Sequence, residues 1–188
     1  MEAILKKEII ENKIACRIIG VSVFVILTSI GAFVRIPLPF TPVPITLQTF
    51  FVLLSGAFLG SNLGAITQLS YIFLGISGLP IFTNAGSGLF YLFGPTGGYL
   101  FGFVLAALFL GRFIKYSKDN LFSIFGLFVL SDLILLFCGI IWLKFLSRYN
   151  PTKLLFIGFI PFIPGDLLKA GLASILYVKL KSRLKEIF

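Results

Sequence analysis

Histidine is absent from this 188-residue chain, and only 12% of its residues are charged. The missing imidazole takes away the usual general base, the commonest metal ligand and every Ser-His or Cys-His nucleophile, which argues against conventional hydrolase chemistry. Two cysteines, Cys16 and Cys138, are too few for a disulfide scaffold. Nor does the chain resemble a linker or a disordered tail, because those compositions are rich in charge and poor in apolar residues. What fills the space instead is hydrophobic. Fully 58% of residues come from the set AVILMFWYC, 23 of them Phe, and the mean hydropathy is +1.06. A soluble domain averages about 45–50% apolar and about 25% charged residues, so this chain lacks the polar surface to cover itself in water. It belongs in a bilayer.

A membrane span takes roughly 20 apolar residues, so a chain of this length accommodates about six. Spans are expected near 18–34, 45–60, 62–78, 96–114, 121–144 and 154–178. The first is followed by further apolar segments and has no small-x-small cleavage site before a polar sequence, so it reads as a helix of the mature protein and not as a signal peptide. The net charge of +9 could suggest nucleic acid, but its distribution points to topology. With the N-terminus inside, Lys6, Lys7, Lys13, Arg17, Arg112, Lys115, Lys118, Lys179, Lys181, Arg183 and Lys185 are cytoplasmic, and Arg35, Lys144, Arg148 and Lys153 are outside. That asymmetry follows the positive-inside rule for an even number of spans. The expected fold is an all-α membrane protein of six transmembrane helices with both termini cytoplasmic. The chain reads as one integral membrane domain over 1–188, made of a cytoplasmic basic N-terminal segment (1–17), a six-helix bundle (about 18–178) and a cytoplasmic basic tail (179–188). Arg17, Arg35 and Lys144 sit where long side chains snorkel to the interface, and Trp142 and Tyr149 where aromatic anchors are expected.

Three stretches depart from the pattern of span and loop. Residues 35–48, RIPLPFTPVPITLQ, carry prolines at 37, 39, 42 and 44 and must be extended and stiff. Thr46 and Gln48 follow as polar groups at the start of the second span; they line a site, or Thr46 merely caps the helix. Residues 75–98, GISGLPIFTNAGSGLFYLFGPTGG, contain seven glycines and no charge. Irregular backbone at a membrane is tolerated where it is buried in protein or lines a cavity, so this segment suits a lid or pocket wall; two tight turns packed on helices are the alternative. Asn84 and Ser87 would supply its polar groups, and Phe82, Phe90, Tyr91 and Phe93 its aromatic surface. No Gly-Lys-Ser/Thr follows either glycine cluster, so no phosphate loop is present.

The third stretch, PFIPGDLLK at 161–169, interrupts the last hydrophobic segment and places Asp166 and Lys169 three apart on one face of the resumed helix. An ionisable side chain in hydrocarbon costs about 2.5–3.5 kcal/mol on insertion scales, so such residues face a bundle interior or a cavity. They either bind a ligand or neutralise one another. Asp132, beside Ser131 in the fifth span, is a second intramembrane acid with no evident partner; an aspartyl enzyme built on Asp132 and Asp166 would be a rival reading.

The blocks Pro42-Val43-Pro44-Ile45-Thr46-Leu47-Gln48-Thr49, Gly78-Leu79-Pro80, Gly94-Pro95-Thr96-Gly97-Gly98-Tyr99 and Gly165-Asp166-Leu167-Leu168-Lys169 resemble, in sequence and order, those of the BioY family. Its members are the biotin-specific substrate-binding subunits of energy-coupling factor transporters. The resemblance spans essentially the whole chain and implies a Pro-rich first loop and a Gly-rich third loop over a biotin site near the external side. It implies a transmembrane coupling subunit (EcfT-type) and two cytoplasmic ATPases as partners, with the lipid bilayer as surroundings, no nucleic acid and no cofactor. By the same resemblance Asp166 and Lys169 contact the ureido ring, Asn84, Ser87 and the amides around Gly86 hold the valerate carboxylate, and Thr46, Gln48, Tyr91 and Tyr99 line the pocket. A subunit for another vitamin, thiamine or riboflavin, is the alternative within that fold. One departure stands out: the first helix lacks an Ala-x-x-x-Ala face and offers Gly20, Ser22, Thr28, Ser29, Gly31 and Ala32 as a mixed small surface for the coupling subunit.

Overall fold

A computed structural model describes residues 13–117 and 120–184. Lys6, Lys7, Lys118 and Lys185, invoked above for topology, lie outside the described residues. The chain runs as α1 (Lys13–Phe33), β1 (Arg35–Ile36), β2 (Ile45–Thr46), α2 (Gln48–Ile76), α3 (Leu89–Leu92), α4 (Gly97–Phe113), α5 (Leu121–Leu146), α6 (Pro151–Gly158) and α7 (Ile163–Leu184). Single 3-10 turns occupy Thr83–Ala85 and Ile114–Tyr116. Among the described residues four helices are long and apolar enough to cross a membrane, or five if α6 and α7, bent by 46°, count as one broken span.

The chain is apolar outside as well as in its core, and its few intramembrane polar side chains are turned inward. Ile14, Ile18, Ile26 and Ile30 point outward along α1, as do Phe122, Leu130, Phe137, Ile141 and Phe145 along α5. The buried set includes Thr28, Gln48, Thr49, Ser55, Thr67, Gln68, Ser131, Asp132 and Asp166. Several of these hydroxyls bond the carbonyl one turn back, as Thr28 does to Phe24 and Ser131 to Leu127, so burial leaves them satisfied. Lipid supplies no competing hydrogen bonds, and this distribution is the one an acyl environment selects.

The expected boundary between the second and third spans falls on a reversal. Gly60 (φ 81°, ψ 178°) breaks α2 with a backbone conformation open to glycine. In a straight helix Gln48 and Tyr71 would stand about 35 Å apart. Instead Gln48 Nε2 donates to Tyr71 OH at 2.7 Å, and Gln68 Nε2 donates to Ser55 Oγ at 2.9 Å. Residues 48–59 and 61–76 are therefore the two arms of a helical hairpin. A side chain at Gly64 would meet the Gly56 backbone at 2.8 Å, and one at Gly56 the Ala107 carbonyl at 2.4 Å, so glycine sets how closely the arms and α4 approach.

The first helix corrects the expected docking surface. Gly20, Thr28, Gly31 and Ala32 are buried within the chain, and a Cβ at Gly31 would lie 3.0 Å from the Gln48 amide. The small face of α1 is spent on α2; of the small residues proposed for a partner, Ser22 is exposed. The proline-rich segment is also more organised than an extended strap. β1 and β2 pair antiparallel in the register Arg35↔Thr46 and Ile36↔Ile45, and the prolines lie in the connection, where no ladder donor is required. Thr41 Oγ1 donates to the Ile157 carbonyl at 2.6 Å, tying this loop to α6.

Candidate functional site

The break between α6 and α7 positions the acid. Pro164 occupies the first turn of α7, where its missing N–H costs nothing, and Asp166 stands in the same turn, where the helix dipole favours a carboxylate. One turn on, Lys169 Nζ lies 2.5 Å from Asp166 Oδ1. The ammonium also donates to Thr49 Oγ1 at 2.5 Å and to the Thr46 carbonyl at 3.0 Å, so all three of its protons have acceptors. Thr49 Oγ1 in turn lies 3.5 Å from Asp166 Oδ1. The side chains of Lys169 and Asp166 are 12% and 5% exposed, which makes this a desolvated, charge-assisted cluster and not a surface ion pair.

Above the cluster is a cavity of about 40 Å³. Val43, Pro44, Thr46 and Thr49 bring the first loop and the start of α2 to it; Tyr99 and Phe103 come from α4, Leu135 and Leu136 from α5, and Phe162 precedes α7. Its polar end is Asp166 and Lys169 with Thr46 and Thr49, and the rest of its wall is aliphatic and aromatic. Such a cavity suits a compact ligand with hydrogen-bonding groups at one end and an apolar body. Tyr99 is held in place: its hydroxyl donates to the Gly158 carbonyl at 2.8 Å, and its ring fills the space that a side chain at Gly139 would take.

Of the residues singled out in the sequence, Asp166, Lys169, Thr46 and Tyr99 meet at this cavity. Gln48 and Tyr91 do not line it and belong to an adjoining network. Gln48 Oε1 accepts from Thr46 Oγ1 and from Thr83 Oγ1, each at 3.3 Å, and Tyr71 OH passes the chain on to the Ile81 carbonyl at 3.0 Å. Tyr91 OH donates to the Thr83 carbonyl at 3.2 Å. A hydrogen-bonded path thus joins the glycine-rich loop to the hydroxyl of Thr46, the residue whose carbonyl receives Lys169. Asn84 and Ser87 are exposed on that loop, with Asn84 and Ala85 at positive φ (65° and 55°). The Gly86 amide is engaged with the Thr83 carbonyl at 3.3 Å. Asn84, Gly86 and Ser87 do not reach the cavity walls.

Sequence reasoning missed Thr49 as the third member of the cluster. Its signal was faint: a Thr one turn into an apolar helix is usually a satisfied hydroxyl. Trp142, expected as an interfacial anchor, also bolts the chain together: its Nε1 donates to the Gly94 carbonyl at 2.9 Å, and its side chain packs where a Cβ on Gly98 would sit. The GPTGG block therefore clamps the glycine-rich loop to α5 and launches α4, which carries Tyr99.

An apolar exterior wrapped around a buried acid–base cluster and its cavity defines a multi-pass helical membrane protein built around an internal binding site. The chain belongs to the BioY family, whose model matches residues 6–186. It is 38% identical over 169 residues to a biotin transporter BioY of Thermotoga maritima, covering 88% of this chain and 95% of that one. It is 39% identical over 161 residues to a probable biotin transporter BioY of Pyrococcus horikoshii, covering 86% and 93% respectively. The fold matches the crystal structure of the S-component for biotin from an ECF-type ABC transporter with a TM-score of 0.85, at 29% identity over 91% of this chain and 93% of that one.

Proposed function

We propose that this protein captures biotin at the outer face of the cell membrane and passes it inward as the substrate-binding subunit of an energy-coupling factor transporter. A transmembrane coupling subunit and two cytoplasmic ATPases would supply the energy, since this chain carries no nucleotide motif. It needs no cofactor. In this reading the chain crosses the membrane six times, the arms of α2 counting as two passes and α6–α7 as one broken pass, with both termini cytoplasmic. The observation that carries the proposal is the Asp166–Lys169–Thr49 cluster at the end of an apolar cavity.

A ureido ring presents two N–H donors and one carbonyl acceptor. Asp166 complements the donors, and Lys169, exchanging its bond to Thr49 for one to the ligand, complements the carbonyl. Phe103, Phe162 and Leu136 then cover the apolar body of the bicycle. At about 40 Å³ the cavity is far smaller than the roughly 300 Å³ or more usual for ligand sites, so entry requires the first loop, β2 included, to swing away from α4 and α7. Asn84 and Ser87 stand on the outer loop as side-chain partners for the valerate carboxylate; the Gly86 amide, already engaged, serves the turn. The relatives are transporters, and no catalytic step is assigned to Asp132 and Asp166.

Equilibrium binding to detergent-purified protein stripped of endogenous ligand tests this, with desthiobiotin, thiamine and riboflavin as comparators. Tight, biotin-selective binding is expected. Binding of thiamine or riboflavin with biotin ignored would move the protein to another vitamin.

A further inference from the structure

The chain has seven acidic residues, and the two within the described residues are Asp132 on α5 and Asp166 on α7. Both line one small cavity, walled otherwise by Val129, Leu133, Leu136, Ile163 and Leu167. Asp132 is 5% exposed, and its Oδ1 has no hydrogen-bond partner. The two carboxyl groups thus face one enclosed space, that of Asp166 held by Lys169 and that of Asp132 with an oxygen to spare. The charged and titratable groups beside Asp166 are Lys169, from α7, and the phenol Tyr99, from α4, whose hydroxyl is already given to Gly158.

Two ionised carboxylates in one cavity offer each other no donor and repel, whereas a proton on one turns the pair into a donor and an acceptor. Charge balance asks for the same thing. Two carboxylates against the one ammonium of Lys169 would leave an uncompensated negative charge among Leu, Ile and Val side chains, in a region where an unpaired charge is costly. One added proton brings the trio to neutrality. Asp132 does not line the ligand cavity, whereas Asp166 lines both cavities, so Asp132 acts on a ligand only through Asp166.

We propose that Asp132 is a proton-carrying positioning residue: its carboxylic acid donates to Asp166 and holds that carboxylate, ionised, toward Lys169 and the ligand cavity. This rests on the reading of Asp166 as a biotin contact. It assigns the second intramembrane acid a role that neither hydropathy nor the acid–base pair explains, and it keeps the site electrically neutral while the helices insert and move.

The test is infrared spectroscopy of the full-length protein at neutral pH, wild type against Asp132→Asn, together with biotin binding to Asp132→Asn and Asp132→Ala. Wild type should show the carbonyl stretch of a protonated carboxylic acid, and Asp132→Asn should lose it. Asp132→Asn should bind biotin within about threefold of wild type, because its amide supplies an uncharged donor of the same shape, while Asp132→Ala weakens binding about tenfold or more. A wild type without the band, a band that persists in Asp132→Asn, or an Asn variant as weak as the Ala variant would each overturn the proposal. If Asp132→Ala does not fold, the band and the Asn variant still decide. A band present in protein that binds no biotin would leave the proton assigned and remove the biotin reading; tight biotin binding without the band would do the reverse.

Discussion

Two buried polar regions lie side by side in this protein and are built on opposite terms. Around Gln48, the partners Thr46, Tyr71 and Thr83 are neutral, and the amide's oxygen and nitrogen both have matches. Around Asp166, the partners are charged, a neighbouring acid keeps an unmatched oxygen, and the cluster opens on a cavity. The first region joins neighbours in the chain: the two arms of α2 and the glycine-rich loop that follows them. The second joins α7 to the first loop and the start of α2, more than a hundred residues away, and concentrates charge. A matched neutral network rigidifies a fold, whereas a charged cluster beside empty space keeps interaction energy available for a ligand.

The comparison breaks most easily at Lys169. Replacing it with Ala leaves two acids facing each other without a counter-charge; removing one partner of a buried pair costs about 3–5 kcal/mol, so biotin affinity should fall by about a hundredfold or more. Affinity near the wild-type value in folded Lys169→Ala would place the ligand elsewhere. Asp166→Asn is gentler, because shape and one acceptor survive. Loss of a charge-assisted hydrogen bond is worth about 1.5–3 kcal/mol, and binding should weaken about tenfold to a hundredfold, measured by titration calorimetry.

Tyr71→Phe sharpens the contrast from the other side. It removes the hydroxyl between Gln48 and the Ile81 carbonyl, leaving buried groups unmatched at a cost of about 1–3 kcal/mol. The expected result is a lower melting temperature in detergent with biotin affinity changed only a few-fold. A large affinity loss at unchanged melting temperature would show that the Gln48 region is itself part of the ligand site. The smallest effect concerns motion. Since Tyr91, Thr83, Gln48 and Thr46 link the glycine-rich loop to Lys169, biotin should slow amide exchange over residues 81–91 more than in the outward face of α5. Equal exchange with and without biotin would detach the loop from the site.

Much of this was legible in the residues. The scarcity of charge identified the solvent, the run PFIPGD marked the helix break, and the i, i+3 spacing put Asp166 and Lys169 on one face. The boundary expected between spans 45–60 and 62–78 falls at the reversal, although its cause, the conformation of Gly60, came only with the structure. Thr49 was not legible, because its value comes from Lys169, 120 residues away in the chain. Gln48 was read as a pocket residue because polarity at a helix start carries no direction; Tyr71 and Thr83 turn it to the other side. The small residues of α1 carried the same ambiguity, since a small face serves an internal neighbour and an external partner equally well.

Composition and local pattern thus determined the bilayer as solvent, the helical segments, the stiff first loop and the identity of the intramembrane charges. These follow from hydrogen bonds and transfer energies that act within a few residues. Only the tertiary structure decided which polar groups satisfy one another and which are left over: that Gln48 is consumed by Tyr71 and Thr83, that Lys169 spends all three protons, and that Asp132 meets Asp166. The physical reason is that each donor and acceptor has a small fixed capacity. Which of them is still unspent is settled by helices that meet across the bundle, not by their neighbours in sequence.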